Sequence, residues 1–176
     1  GADALRFAIV YLAPLGQDIF YSNEKCELGK HFANKLWNAS RFRSLHGPGR
    51  SLPDLTEVSP ALLSAADRWL LGRLDQTIAA VTAALDQFRF HEATHTLYEF
   101  VWSEFCDWYV EAVKRQLEDQ ERRATALAVL DYALDRILRL LHPFMPFVTE
   151  ELAHQLGFLG AKDSIMAAAW PLPLPA

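Results

Sequence analysis

The segment "RFHEATHTLYEF", Arg89 to Phe100, contains His91, Glu92, Ala93, Thr94 and His95 in a row. Two histidines at i and i+4 on a helix can hold zinc while the glutamate between them activates water, the chemistry of H-E-x-x-H peptidases. Such a site needs a third ligand, and none is in reach. Thr96, Leu97 and Tyr98 follow His95 where a metzincin would continue with His-x-x-Gly-x-x-His. Cys106 lies eleven residues past His95, about 16 Å along a helix rising 1.5 Å per residue, and Glu111 is farther still. We therefore read His91 and His95 as a helix-flank pair, with no metal and no catalytic residue expected.

A second set of side chains suits recognition rather than catalysis. Within a helical segment from Asn23 to about Leu45, His31, Asn34, Lys35, Arg41, Phe42 and Leu45 all fall within about 60° of Asn38. The stripe mixes amides, cations and an aromatic, opposite Phe32, Ala33 and Leu36. Bases in single-stranded loops are read this way, by hydrogen bonds to their edges and by stacking on an aromatic or guanidinium plane. Lys and Arg beside such a groove can meet phosphates. The competing reading is a solvated face whose Phe42 packs on a neighbouring helix. Elsewhere, Glu150 and Glu151 suit the positive first turn of a helix, and Trp102, Phe105, Trp108 and Tyr109 read as core. The sequence holds no Gly-rich phosphate loop and no Ser/His/Asp set.

The elements that must carry these residues are all helical. "GADALRFAIVYLA" puts Leu5, Ile9 and Leu12 on one stripe before Pro14 and Gly16 stop it. Asn23 can cap the helix bearing the polar stripe, with Phe32, Leu36 and Ala39 inward. "HGPGRSLPDL" is a loop. Ser64 and Asp67 have capping-box spacing, and Trp69, Leu70, Leu74, Ile78, Val81 and Leu85 keep helical period to about Gln87. A long helix runs from Phe90 to about Leu117, with Phe90, Leu97, Val101, Phe105 and Trp108 expected inward. Another spans about Arg122 to His142, with Leu127, Leu130, Leu134, Ile137 and Leu141 as its apolar face, before Pro143 and Pro146 break it. A short last helix ends at Gly157, and residues 158–176 form an extended Pro-rich tail. The expected fold is all-α, an antiparallel bundle of five to six helices in one domain over residues 1–176.

Bulk properties narrow the partners. The 176 residues are 51% hydrophobic and 22% charged, with a net charge of −5, so binding to nucleic acid must come from a local surface rather than from bulk charge. Two cysteines, Cys26 and Cys106, make neither a disulfide framework nor a zinc finger. The apolar run "FAIVYLAPL" is too short to cross a bilayer and no charged leader precedes it, so no membrane partner is expected. The chain opens at Gly1 inside a helical pattern, which reads as a piece of something larger.

Several segments, in order, resemble the valyl-tRNA synthetases: "GADALRFAIVYLAPLGQDIFYS", "HFANKLWNASRF", "ADRWLLGRLDQTI", "YEFVWSEFCDWYVEAVK" and "LLHPFMPFVTEELAHQL". Together they cover nearly the whole chain. "ANKLWNASRF" and "WSEFCDWY" are specific to the valine family, whereas "GADALR" and "PFMPFVTEEL" are shared with the isoleucine, leucine and methionine relatives. The resemblance implies the anticodon-binding helical bundle of a cytosolic valine–tRNA ligase, with an isoleucine- or leucine-type synthetase as the alternative. A helical protein–protein module is the rival of another class. The resemblance also makes residues 1–22 a connecting helix and linker from a catalytic domain, and valine tRNA and that domain the partners, with no DNA. The HIGH-like and KMSKS-like signatures are missing, so ATP and magnesium belong to the parent enzyme and this piece has no cofactor. By resemblance, Asn34, Lys35, Asn38, Arg41 and Phe42 face the anticodon, the same stripe that helical spacing selects. Relatives can carry an Arg near the start of this helix where Glu24 stands here, with Lys25 and Lys30 the nearest cations to replace it.

Overall fold

The computed structural model describes residues 1–13, 16, 18, 22–49, 54–56 and 58–174, and among them every regular element is a helix. These are α1 (Ala2–Leu12), α2 (Asn23–Ser44), α3 (Ala65–Asp86), α4 (Phe90–Glu99), α5 (Val110–Glu118), α6 (Arg123–Leu141) and α7 (Pro146–Gln155). A π-helical segment, Phe100–Tyr109, joins α4 to α5 without a break. Counting α4 through α5 as one rod gives six helices, packed as an antiparallel bundle as the periodicity predicts. Residues 50–53 and 57 of the loop after α2, and most of the turn after α1, lie outside the described residues.

The capping box at α3 is present in both halves. The Asp67 amide donates to Ser64 Oγ at 3.1 Å, and the Ser64 amide donates to Asp67 Oδ2 at 2.8 Å. Asp67 is fully buried, and its other oxygen accepts the Tyr109 hydroxyl at 2.8 Å and the Gln116 amide at 3.3 Å. One cap therefore fixes where α3 begins and pins it to the long rod.

α1 corrects the sequence reading. Leu5 and Ile9 are exposed, and the buried face is Asp3, Ala4, Phe7 and Ala8. The segment is apolar almost all round, so its period alone does not choose a face; the neighbour chooses. On α2, Gly29 is buried, and a Cβ there would stand 2.2 Å from the Ala4 carbonyl oxygen. That approach brings Phe7 onto Phe32 with ring centroids 4.7 Å apart. Asp3 also accepts from the Phe147 and Val148 amides at 3.3 and 2.6 Å, capping the start of α7 from another helix. Glu150 and Glu151 sit one turn further in and do not cap it. Glu150 instead accepts from the Ile165 amide, and Glu151 from Gln155.

Along the rod, Leu97, Val101 and Phe105 are buried as expected, but Phe90 and Trp108 are exposed. The i→i+5 bonding of a π segment winds less per residue than an α-helix, so the inward face drifts across Phe100–Tyr109. Tyr109, Val110 and Val113 face the core and Trp108 leaves it, tilting against the exposed Trp69 at 4.3 Å. Trp102 is half-buried. On α3, Leu70, Leu74, Ile78 and Val81 are fully or nearly fully buried, while Leu85 is half-buried at the edge of the core. The tail is strapped down: Trp170 Nε1 donates to Thr82 Oγ1 at 2.9 Å and the Leu174 amide donates to Asp75 at 3.0 Å.

Candidate nucleic-acid interface

α2 is anchored at both ends and along one side. Ser22, one residue before the predicted cap Asn23, accepts from the Lys25 amide. Phe32, Leu36 and Ala39 are buried on one side as expected. At the far end Arg43 and Asp131 of α6 are both nearly fully buried, and the guanidinium donates to both carboxylate oxygens, at 2.5 and 2.7 Å. Arg43 also donates to the Gly47 and Pro48 carbonyls, so the pair fixes the direction in which the chain leaves α2.

This anchoring presents the predicted residues on a ridge with a groove along each flank. On the rod side, Lys35, Asn38 and Phe42 line a groove of ≈ 290 Å³ with Cys106, Val110 and Lys114. It continues past Phe42 and Lys114 to His46, Leu117 and Arg123. Asn34 faces the other flank, in a cleft shared by α1, α2 and α7 that includes Lys30, Trp37 and Phe147. Arg41 lies on the same flank, in a cleft of ≈ 320 Å³ between α2 and α7. The five residues thus share one helix face but line no single groove.

Their chemistry also departs from the sequence picture. Asn34, Asn38 and Arg41 are exposed, and among the described residues none has a side-chain hydrogen bond or ion pair. Lys35 is committed: its ammonium is ion-paired with Asp107 of the π segment and stands 5.0 Å from the Trp102 ring centre. Phe42 is half-buried and packs against the core, the part of the competing reading that holds. Its ring meets His46 edge-on at 5.1 Å, with Lys114 Nζ 6.0 Å above it. Among the described residues His31 reaches only Glu27 of its own helix, and Leu45 is exposed. Glu24 is exposed in the first turn of α2 and Lys30 is paired with Glu27.

Two neighbouring titratable groups are shifted by their surroundings. Burial, and then the charges of Arg123 and Arg43, hold the His46 imidazole below the usual histidine range. Burial pushes the Cys106 thiol up to about 12, which leaves it a protonated, unreactive part of the groove wall. Sequence reasoning missed Trp37, a half-exposed indole beside Asn38, and Lys114, which reaches the groove from the other helix. The first was legible as an aromatic one step off the stripe. The second depends on tertiary placement alone.

The His91–Glu92–Ala93–Thr94–His95 motif has a structural explanation. His95 Nε2 lies 3.0 Å from the Tyr11 carbonyl oxygen at the end of α1, where a helix leaves carbonyls without partners. Its ring stacks on Tyr11 at 3.8 Å. Among the described residues no group of three or more His, Cys, Asp or Glu side chains is placed to share a metal ion. Nor is any helix long and apolar enough to cross a membrane.

Residues 67–176 match the family model described as the anticodon-binding domain of tRNA ligase. The chain is 45% identical to a valine–tRNA ligase of Geobacter sulfurreducens and 43% identical to one of Bacillus subtilis, in each case over 99% of this chain and 20% of the relative. It therefore spans about a fifth of the length of the curated relatives it matches. In fold it resembles the LeuRS of Agrobacterium radiobacter, solved as a ternary complex with tRNA and LeuAMS, with a TM-score of 0.67 and 20% identity over 98% of this chain and 20% of that one. An all-helical bundle with a rigid polar ridge, and a family match over more than half its length, agree: the chain belongs to the anticodon-binding domains of tRNA ligases.

Proposed function

We propose that the ridge of α2 holds the anticodon arm of valine tRNA while another part of a valine–tRNA ligase, which uses ATP and magnesium, carries out aminoacylation in the cytosol. In that reading residues 1–22 lead in from the catalytic domain. The observation that carries it is Asn38: an amide with no partner among the described residues stands over a groove that also holds the Phe42 ring, Lys35 and Lys114. A base laid in that groove meets an aromatic wall for stacking and an amide for its edge. Lys35, paired with Asp107, and Lys114, paired with Glu111, line the same groove and can meet phosphate by exchanging those partners.

Valine codons begin with G and U, so the matching anticodons end in A and C, and these two bases are the ones the ridge reads. Discrimination is a difference in binding: a wrong base leaves polar groups unpaired, at about 1–3 kcal/mol per base. Identity of 43–45% to valine–tRNA ligases over nearly the whole chain supports valine over the isoleucine and leucine alternatives. Chemical footprinting of valine tRNA with this chain is the test. Protection confined to the anticodon loop is expected, and an unprotected loop would rule the reading out.

A further inference from the structure

The cleft between α2 and α7 is lined by Trp37, Ser40, Arg41, Ser44, Leu152 and Leu156, with Gln155 at its edge. Its distinguishing feature is Ser40. This residue is 1% exposed, yet its hydroxyl has no hydrogen-bond partner among the described residues. Five helical hydroxyls, Ser44 of α2 and Thr149 of α7 among them, behave differently. Ser44, Thr77, Thr82, Thr94 and Thr149 each donate to the carbonyl four residues back. Ser40 sits in regular helix with the same option and does not use it. A buried polar group left unsatisfied costs stability, so one bordering a cleft is a group awaiting a ligand.

The rest of the lining says what kind of ligand. Trp37 and Arg41 are four residues apart, so they stand one above the other on the same helix side. The indole is 38% exposed, and the guanidinium has no ion pair among the described residues. Leu152 and Leu156, both buried, supply an apolar contact from α7. A flat aromatic plane, a flat guanidinium plane, an apolar wall and one orphan hydroxyl make a receptor for a flat heterocycle with a polar edge. Its volume, ≈ 320 Å³, is at the small end of ligand pockets.

We infer that the α2–α7 cleft is a second base pocket, which takes one unstacked nucleobase of an RNA loop on the flank of α2 opposite the Phe42 groove. The inference rests on the RNA-binding reading above and extends it: the loop straddles the ridge at Asn38 and Arg41, with one base on each side. Arg41 stacks on the base, Trp37 closes over it, and the Ser40 hydroxyl bonds its edge.

The test is binding of the chain to an RNA stem-loop carrying a valine anticodon, with loop nucleotides made abasic one at a time. Ser40→Ala removes an orphan donor, so its melting temperature should equal or exceed the parent's while RNA affinity falls several-fold. Arg41→Ala, at an exposed site, should weaken binding roughly tenfold. Both losses should vanish at one and the same abasic position, different from the position at which the loss from Phe42→Ala vanishes. If Ser40→Ala binds every RNA as the parent does, or if the Arg41→Ala loss is equal at all positions, the second pocket is refuted while the Phe42 groove stands. If the parent chain binds none of the stem-loops, both readings fall together.

Discussion

Lys35 of α2 and Asp107 of the π segment form an ion pair between the two helices beside the groove, with the Lys35 ammonium 5.0 Å from the centre of the Trp102 ring. The carboxylate thus competes with any phosphate for a cation that lines the same groove as Asn38. Asp107→Asn removes the competitor. RNA binding should strengthen several-fold at low salt, and the dependence of log affinity on log salt should steepen by up to one counterion. Titrations at several salt concentrations measure this. An affinity and slope unchanged by Asp107→Asn would mean that Lys35 meets no phosphate.

Phe42 packs on the core on one side and lines the groove on the other, so Phe42→Ala should fail in two assays. Losing a half-buried aromatic should cost about 1–2 kcal/mol of stability, read as a lowered midpoint in urea. Losing the stacking plane should weaken RNA binding roughly tenfold. Phe42→Tyr should retain most of the affinity. A stability loss with RNA binding intact would return Phe42 to a purely structural role.

Arg43 and Asp131 make a buried bidentate pair that sets the exit of α2. Arg43→Ala leaves a buried carboxylate uncompensated and should cost about 3–5 kcal/mol. Asp131→Asn should cost less, because the amide still accepts one hydrogen bond. Denaturant unfolding of both variants checks the order.

Gly29→Ala puts a methyl group 2.2 Å from the Ala4 carbonyl oxygen, a backbone atom that cannot swing away. Separating α1 from α2 should cost about 1–3 kcal/mol or more, despite the higher helix propensity of alanine. A stabilised variant in thermal melts would show that the two helices do not approach so closely.

Burial holds the His142 imidazole below the usual histidine range, against the opposing charges of Glu150 and Asp3, and His46 is shifted the same way. With a folded pKa below the unfolded one, the unfolded chain takes up the proton first as pH falls. These groups therefore favour the fold above about pH 6.5 and withdraw that support as acidification proceeds below it. Urea midpoints should fall from about pH 7 to about pH 5.5, and His142→Gln should flatten the decline. A decline equally steep in the variant would point to other groups.

Where local chemistry decides, the sequence was enough. Ser64 and Asp67 marked the start of α3 because a capping box is written in adjacent residues, and Phe32, Leu36 and Ala39 set the inner face of α2 because the opposite side is polar. Where a neighbour decides, it was not. The Leu5–Ile9 stripe is as apolar as the Ala4–Phe7–Ala8 face that is buried, and only packing on the neighbouring helices, Gly29 of α2 first among the contacts, separates them. A constant 100° per residue turns Trp108 inward, a period that the π segment breaks. Asn34, Lys35, Asn38, Arg41 and Phe42 do lie on one face of α2, as helical geometry requires. Their division between two grooves depends on the rod and α7, which no periodicity on α2 can locate.

Equilibrium binding of the chain to RNA stem-loops that differ only in the A and C of a valine anticodon tests the central claim most directly. Each replacement should weaken binding about five-fold to a hundredfold, the equivalent of roughly 1–3 kcal/mol per base, and Asn38→Ala should erase the preference at one of the two positions. Equal affinity for every loop sequence, undisturbed by Asn38→Ala, would contradict anticodon reading by the α2 ridge.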